Sequence, residues 1–223
     1  MSVRRLALLM TAVVLLASAC ASARAEPAAP KGLVPVTLVV PEGMGAAPLD
    51  VVRQALVPRG WTISVFARVP SARLAAWAPD GTLLVSVPGN GTVVRLVPDG
   101  NGTASVSVLL SGLRQPHGIA FAGSTLYVAQ THRVDAYTYA DGAAMDPRPV
   151  VTGLPDASTP ELGGRYGHVL KSVAVGEDGS VYVSVGSTGN ISAEDLTATP
   201  PQGVDPAGAS GRWGAGAVRH ERA

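Results

Sequence analysis

The chain has 223 residues, with 17 lysines and arginines set against 16 aspartates and glutamates. That balance, with no basic run beyond the first few residues, lacks the electrostatic footprint of a nucleic-acid binder and favours a neutral or weakly charged ligand. The 26 glycines and 18 prolines fall mostly in turn-like dipeptides between short Val/Leu-rich runs, which predicts many short strands and an all-β class.

Residues 1–25 read as a secretory signal: Arg4 and Arg5, then an apolar run over residues 6–17, then small residues. The apolar run is too short to cross a bilayer core of about 30 Å as a helix, so no transmembrane span is expected. Two processing sites compete. Ala23-Arg24-Ala25 before Glu26 fits the small-x-small pattern, while Ala17-Ser18-Ala19-Cys20 resembles a lipobox, with Cys20 as a candidate lipid anchor. Either route predicts an exported protein, periplasmic or secreted, or an outer-surface lipoprotein. Cys20 is the only cysteine, so the mature fold is expected to rest on burial without disulfides, Cys-bound zinc or c-type haem.

Residues 26–60 are rich in Pro, Gly and Ala and read as an extended leader, with residues 36–40 compatible with an isolated strand and residues 49–56 with a short helix. From Trp61 a rhythm begins. Residues 62–66 and 73–77 read as strands, Pro79-Asp80-Gly81 as a turn, and residues 83–87 and 93–96 as two more strands joined through Asn90-Gly91. The same order returns at residues 118–121, a turn at Gly123-Ser124, residues 126–129 and residues 134–137. It returns again at residues 171–175, Glu177-Asp178-Gly179 and residues 181–184.

A four-stranded unit recurring every 40 to 55 residues or so predicts a β-propeller of antiparallel blades over residues 61–196, with about three blades present of an expected six. Each blade is apolar on both faces and needs neighbours to bury them. The competing fold is a β-sandwich with accidental similarity between hairpins.

The ordered signals resemble the soluble quinoprotein glucose and sorbosone dehydrogenases, propellers that use pyrroloquinoline quinone (PQQ). The resemblance runs from Gly60 to Asn190. It rests on Trp61-Thr-Ile-Ser-Val-Phe-Ala67, Ala78-Pro-Asp-Gly-Thr-Leu-Leu-Val85, Gly112-Leu-Arg-Gln-Pro-His-Gly-Ile-Ala-Phe121, Leu126-Tyr-Val-Ala129, Gly167-His168 and Val181-Tyr-Val-Ser-Val-Gly-Ser-Thr-Gly-Asn190. It implies that His168 is the base that takes a sugar hydroxyl proton while hydride passes to the quinone, with Gly163, Gly164 and Gly167 allowing close backbone approach to a flat cofactor. His117 and Gln115, before the inner strand of the second blade, are candidates for the cofactor site, or for pinning the loop between blades. Ser187, Thr188 and Asn190 are candidates for supporting the histidine, and Ser187 and Asn190 also for the cofactor site.

PQQ and calcium are the cofactors the resemblance implies, with a sugar or sugar aldehyde as substrate and an external electron acceptor as partner. The arginine, lysine and calcium-binding residues of the later blades find no counterpart in the sequence, so no metal ligands are assigned and the chain alone is expected to be inactive. Asp99-Gly-Asn101 hints at a calcium loop and reads better as a turn, as do the three Asn-x-Ser/Thr sites. Residues 197–223 carry no alternating apolar strand and read as an irregular, frame-shifted or truncated tail. The alternatives to an oxidoreductase are a non-enzymatic propeller that binds a partner or polysaccharide, and an inactive gene remnant.

Overall fold

A computed structural model describes residues 32–162, 166–187 and 216–220. The signal segment and Cys20 lie outside the described residues, and among those described no helix is long and apolar enough to cross a membrane.

Three antiparallel sheets form blades in succession, as the repeat predicts. The first runs Ala75–Trp77 (β3), Leu83–Val87 (β4), Thr92–Pro98 (β5) and Ala104–Leu110 (β6), in that spatial order. The second is Ile119–Ala122 (β7), Thr125–Ala129 (β8), Val134–Ala140 (β9) and Ala143–Val151 (β10). In the third, Ser172–Val175 (β11) and Val181–Val185 (β12) are followed by Gly216–His220 (β13).

Alternation along the strands divides the core into seams. Leu84 and Val93 meet Ile119, Leu126, Val128, Tyr137 and Tyr139 between the first and second blades. Tyr127, Ala129, Val134 and Ala136 meet Val173, Val181, Val183 and Val185 between the second and third. Successive side chains on a strand point to opposite faces, so β8 serves both the blade before it and the blade after it. Leu84 and Tyr127, which face the following blade, are 0% and 2% exposed, whereas Tyr182, at the matching place in β12, is 37% exposed because no further described sheet covers it.

The tight turns at one end use a repeated device. Asp80 Oδ1 accepts the Thr82 amide at 3.0 Å and its hydroxyl at 2.7 Å. Asp178 does the same for Ser180, at 3.0 Å for the amide and 2.8 Å for the hydroxyl. Asp99 caps the β5–β6 turn by accepting from Asn101 and Thr103, so this segment is the turn that the dipeptide signal favours.

Several expectations are corrected. The leader contains a hairpin: Leu33–Thr37 (β1) pairs antiparallel with Gln54–Pro58 (β2), so residues 49–56 hold no helix. Pro48 and the β-branched Val51 and Val52 suit extended backbone, and the alternating exposure of β2 follows a strand period. Residues 62–66 are not the first strand of a blade. Ser64 makes only a parallel bridge to Val39, while Phe66, Ala67 and Val69 cover the free face of the first blade.

The outer strands β6 and β10 complete the first two blades, so the first unit is offset by one strand from the sequence-based reading and the second gains an outer strand that the reading lacked. Within the tail expected to be irregular, Gly216–His220 pairs with β12 through its backbone. Its order of Gly, Ala, Val, Arg and His shows no apolar alternation, and partner hydrogen bonds define it instead.

Candidate functional site

Because every blade is an antiparallel meander, the β4–β5, β6–β7, β8–β9 and β10–β11 connections all emerge at the end opposite the aspartate turns. They enclose a cavity of about 610 Å³. Its polar lining comes from Asn90, Arg114, Gln115, Thr131, Asp156 and Tyr166.

Local geometry fixes these loops. The Leu113 amide donates to the Gly91 carbonyl at 3.0 Å, and a Cβ on Gly91, whose φ is +64°, would lie 2.5 Å from the Leu113 carbonyl oxygen. Only glycine lets the two loops approach so closely. The next loop is held from beneath by buried polar groups. The Arg114 amide donates to Gln130 Oε1 at 2.6 Å, the Thr131 amide to the Arg114 carbonyl at 3.1 Å, and Gln130 Nε2 in turn to Asp135. Gln115 takes the left-handed conformation at φ +46°, directly before the buried Pro116. A non-glycine residue there marks a backbone constrained by its surroundings.

Asp156 anchors the β10–β11 connection. Its carboxylate accepts from the Ser158 amide at 2.8 Å, the Ser158 hydroxyl at 2.6 Å and Thr131 Oγ1 at 3.2 Å, and it pairs with Arg114 at 3.1 Å. Burial pulls its pKa up, but these hydrogen bonds and the guanidinium outweigh it and hold the carboxyl below the usual value. The ionised Asp156 is therefore compensated, while Arg114 remains half exposed at the cavity edge.

His168 lies on the same connection, just before β11. Its Nδ1 is 3.2 Å from the Ser187 carbonyl oxygen and 3.1 Å from Ser187 Oγ, beyond the end of β12. His117 lies before β7, with Nδ1 3.3 Å from the Lys171 carbonyl oxygen. Burial first and then the Arg73 charge lower the His117 pKa, against the opposing effect of that carbonyl. His132 is likewise lowered, by burial and by Arg114 and Arg133.

Of the residues singled out from the sequence, Gln115 lines the cavity. His168 precedes the lining residue Val169, and Ser187 lies beside it, with Oγ 3.1 Å from His168 Nδ1. His117 turns toward the blade junction. Gly163, Gly164, Thr188 and Asn190 lie outside the described residues. Sequence reasoning missed Arg114, Asp156, Tyr166 and Lys171. The one available signal was a lysine directly preceding the apolar inner strand at Ser172, a place where a charged side chain must be buried or turned aside.

Among the described residues no group of three or more His, Cys, Asp or Glu side chains is placed to hold a metal ion.

Residues 55–202 match the TrAA12-like family. No curated protein matches the chain. Among solved structures, the holo form of the pyranose dehydrogenase PQQ domain from Coprinopsis cinerea is similar at a TM-score of 0.52 and 22% identity, over 63% of this chain and 34% of that one. A carbohydrate-active enzyme of family AA12 from Trichoderma reesei is similar at a TM-score of 0.46 and 24% identity, over 56% of this chain and 32% of that one. The chain thus spans about a third of the length of these structures. The first likeness supports the propeller fold, and that neighbour is the PQQ domain of a pyranose dehydrogenase.

Proposed function

Because the chain belongs to the TrAA12-like family, we propose that it forms the histidine-bearing part of an exported, PQQ-dependent dehydrogenase that oxidises a sugar hydroxyl or hydrated sugar aldehyde. His168 takes the hydroxyl proton. An external electron acceptor completes the cycle.

The observation that carries this reading is the set of partners around His168. A carbonyl oxygen only accepts hydrogen bonds and a hydroxyl also accepts them, so the Ser187 carbonyl at 3.2 Å from Nδ1 and the Ser187 Oγ at 3.1 Å together favour the neutral tautomer with its proton on Nδ1. Nε2 is then left with its lone pair, on an exposed side chain at the cavity end of the blades. A base fixed in one tautomer by a backbone carbonyl can receive a proton without first reorienting.

The cavity fits the cofactor's chemistry in part. PQQ is a flat tricarboxylate, and Arg114, Asn90, Gln115 and Thr131 offer a cation, amides and a hydroxyl to such an anion. When bound, PQQ supplies the two-electron acceptor for the substrate hydride. Calcium is different: among the described residues no group of three or more His, Cys, Asp or Glu side chains is placed to hold it.

The test is reconstitution of the full chain with PQQ and calcium, followed by PQQ binding and by reduction of an artificial acceptor with aldoses or sorbosone. Although the sequence offers no counterpart of the later-blade ligands, the proposal requires the chain to show saturable binding, with turnover lost in His168→Ala while binding is kept. Absence of PQQ binding, or equal turnover by His168→Ala, would overturn the proposal.

A further inference from the structure

Lys171 stands out because nothing in the reaction above uses it. Its side chain is 0% exposed, and among the described residues it makes no ion pair. Burying an ammonium is costly unless its protons are taken up. Here Nζ donates to the Val169 carbonyl at 2.7 Å, lies 3.4 Å from the Tyr166 hydroxyl and sits 4.7 Å from the centroid of the Tyr166 ring. The cost is visible in its pKa, which burial lowers to about 8 against the attraction of Asp156.

These contacts converge on the two histidine loops. Tyr166 OH donates to the Gly186 carbonyl at 2.7 Å, so the start of the His168 segment is tied to the residue before Ser187, the partner of His168. The space there is tight, since a Cβ on Gly186 would stand 2.6 Å from His168 Cβ and 2.8 Å from the His168 carbonyl oxygen. On its backbone side, the Lys171 carbonyl accepts the Gly118 amide at 2.9 Å and faces His117 Nδ1 at 3.3 Å. One residue therefore holds Tyr166 and Val169 on either side of His168 and also receives His117 from the preceding blade.

We propose that Lys171 is a positioning residue that sets the orientation of His168 and, through its carbonyl, links it to His117 across the blade junction. This rests on the reading of His168 as the proton acceptor. A neutral side chain of the same length would fill the space but leave the Val169 carbonyl without its donor, and the His168 segment would no longer be held at both ends. Arginine keeps a cationic donor.

The experiment uses the full chain with 15N-labelled histidine, whose 4 imidazoles are few enough to assign by single substitutions. Lys171→Met is expected to shift and broaden the imidazole signals of His168 and His117 while that of His132 stays in place, and Lys171→Arg to restore them in part. Unchanged His168 and His117 signals in Lys171→Met would overturn the proposal. Should that variant not fold, Tyr166→Phe is read in its place, since it deletes only the hydroxyl between Nζ and Gly186: a shifted His168 signal supports the coupling, and an unchanged one refutes it.

In the PQQ-loaded protein, Lys171→Met is expected to lower kcat about tenfold with little change in KM, as loss of a correctly placed base requires. If His168→Ala costs no turnover while the imidazole shifts are seen, the assignment of the base fails and the positioning role stands.

Discussion

Replacing Tyr139 by Phe removes one oxygen from the seam between the first two blades and leaves the ring in place. That oxygen donates to Asp80 Oδ2 at 2.9 Å and lies 3.0 Å from Thr82 Oγ1, so it joins the second blade to the aspartate turn of the first. The ring meets Phe121 edge-on at 5.3 Å, a contact the substitution keeps. A hydrogen bond to a charged acceptor contributes about 1.5–3 kcal/mol, and because Asp80 is exposed and keeps both bonds from Thr82, the expected loss is about 1–2 kcal/mol.

The pH dependence fixes the cause. Burial raises the Asp80 pKa, but the Thr82 hydroxyl and amide, Tyr139 and Arg95 together bring it below its ordinary value of 3.8. A carboxylate depressed in the folded state contributes stability above its unfolded pKa and loses it as the pH falls through the folded value. Urea unfolding followed by circular dichroism should therefore show wild type and Tyr139→Phe separated at pH 7 and converging below pH 3.8. No difference at pH 7, or an equal difference in acid, would refute the assignment of this hydroxyl to a charged acceptor across the seam.

Leu126→Ala empties a fully buried position in the same seam, and an expected loss of about 2–5 kcal/mol should appear as a lowered urea midpoint with the slope unchanged. Gly186→Ala places a methyl 2.6 Å from His168 Cβ, so the histidine must move by about 1 Å, and kcat of the PQQ-loaded protein should fall about 100-fold while PQQ still binds.

The inner strands were readable because burial on both faces demands near-continuous apolar runs such as Leu83–Val87, interrupted only by Ser86, and because Asp-Gly and Asn-Gly turns punctuate them. The outer strands carried weaker signals. β6 spells Ala-Ser-Val-Ser-Val-Leu-Leu and is mostly exposed, while β10 contains Pro147 and Pro149 and pairs through two register shifts. Proline and bulges are tolerated at a sheet edge, and there they hide the strand from any rule based on periodicity. The β1–β2 hairpin was obscured for a similar reason, with Pro35 and Pro58 inside its strands.

At the site, His168 could be singled out by resemblance alone. The groups around it could not, because their roles depend on long-range approach. Arg114 reaches Asp156 across 42 residues of chain, and the Lys171 carbonyl meets His117 across 54. A lysine in a sequence is read as surface, and only the closed seam shows that this one is inside.

The two-sided second strand sets a limit on how such a chain can vary. In Leu83–Val87, alternate residues answer to different neighbours, so the strand works like a two-channel signal carried on a single line. Changing one letter alters one channel. Deleting one letter exchanges the channels from that point to the next turn, sending the Leu84 contacts to the wrong side and breaking its cross-strand register with Arg95. A change of length is therefore tolerated best in the connections between strands, and at the cavity end it alters the lining before it alters the fold.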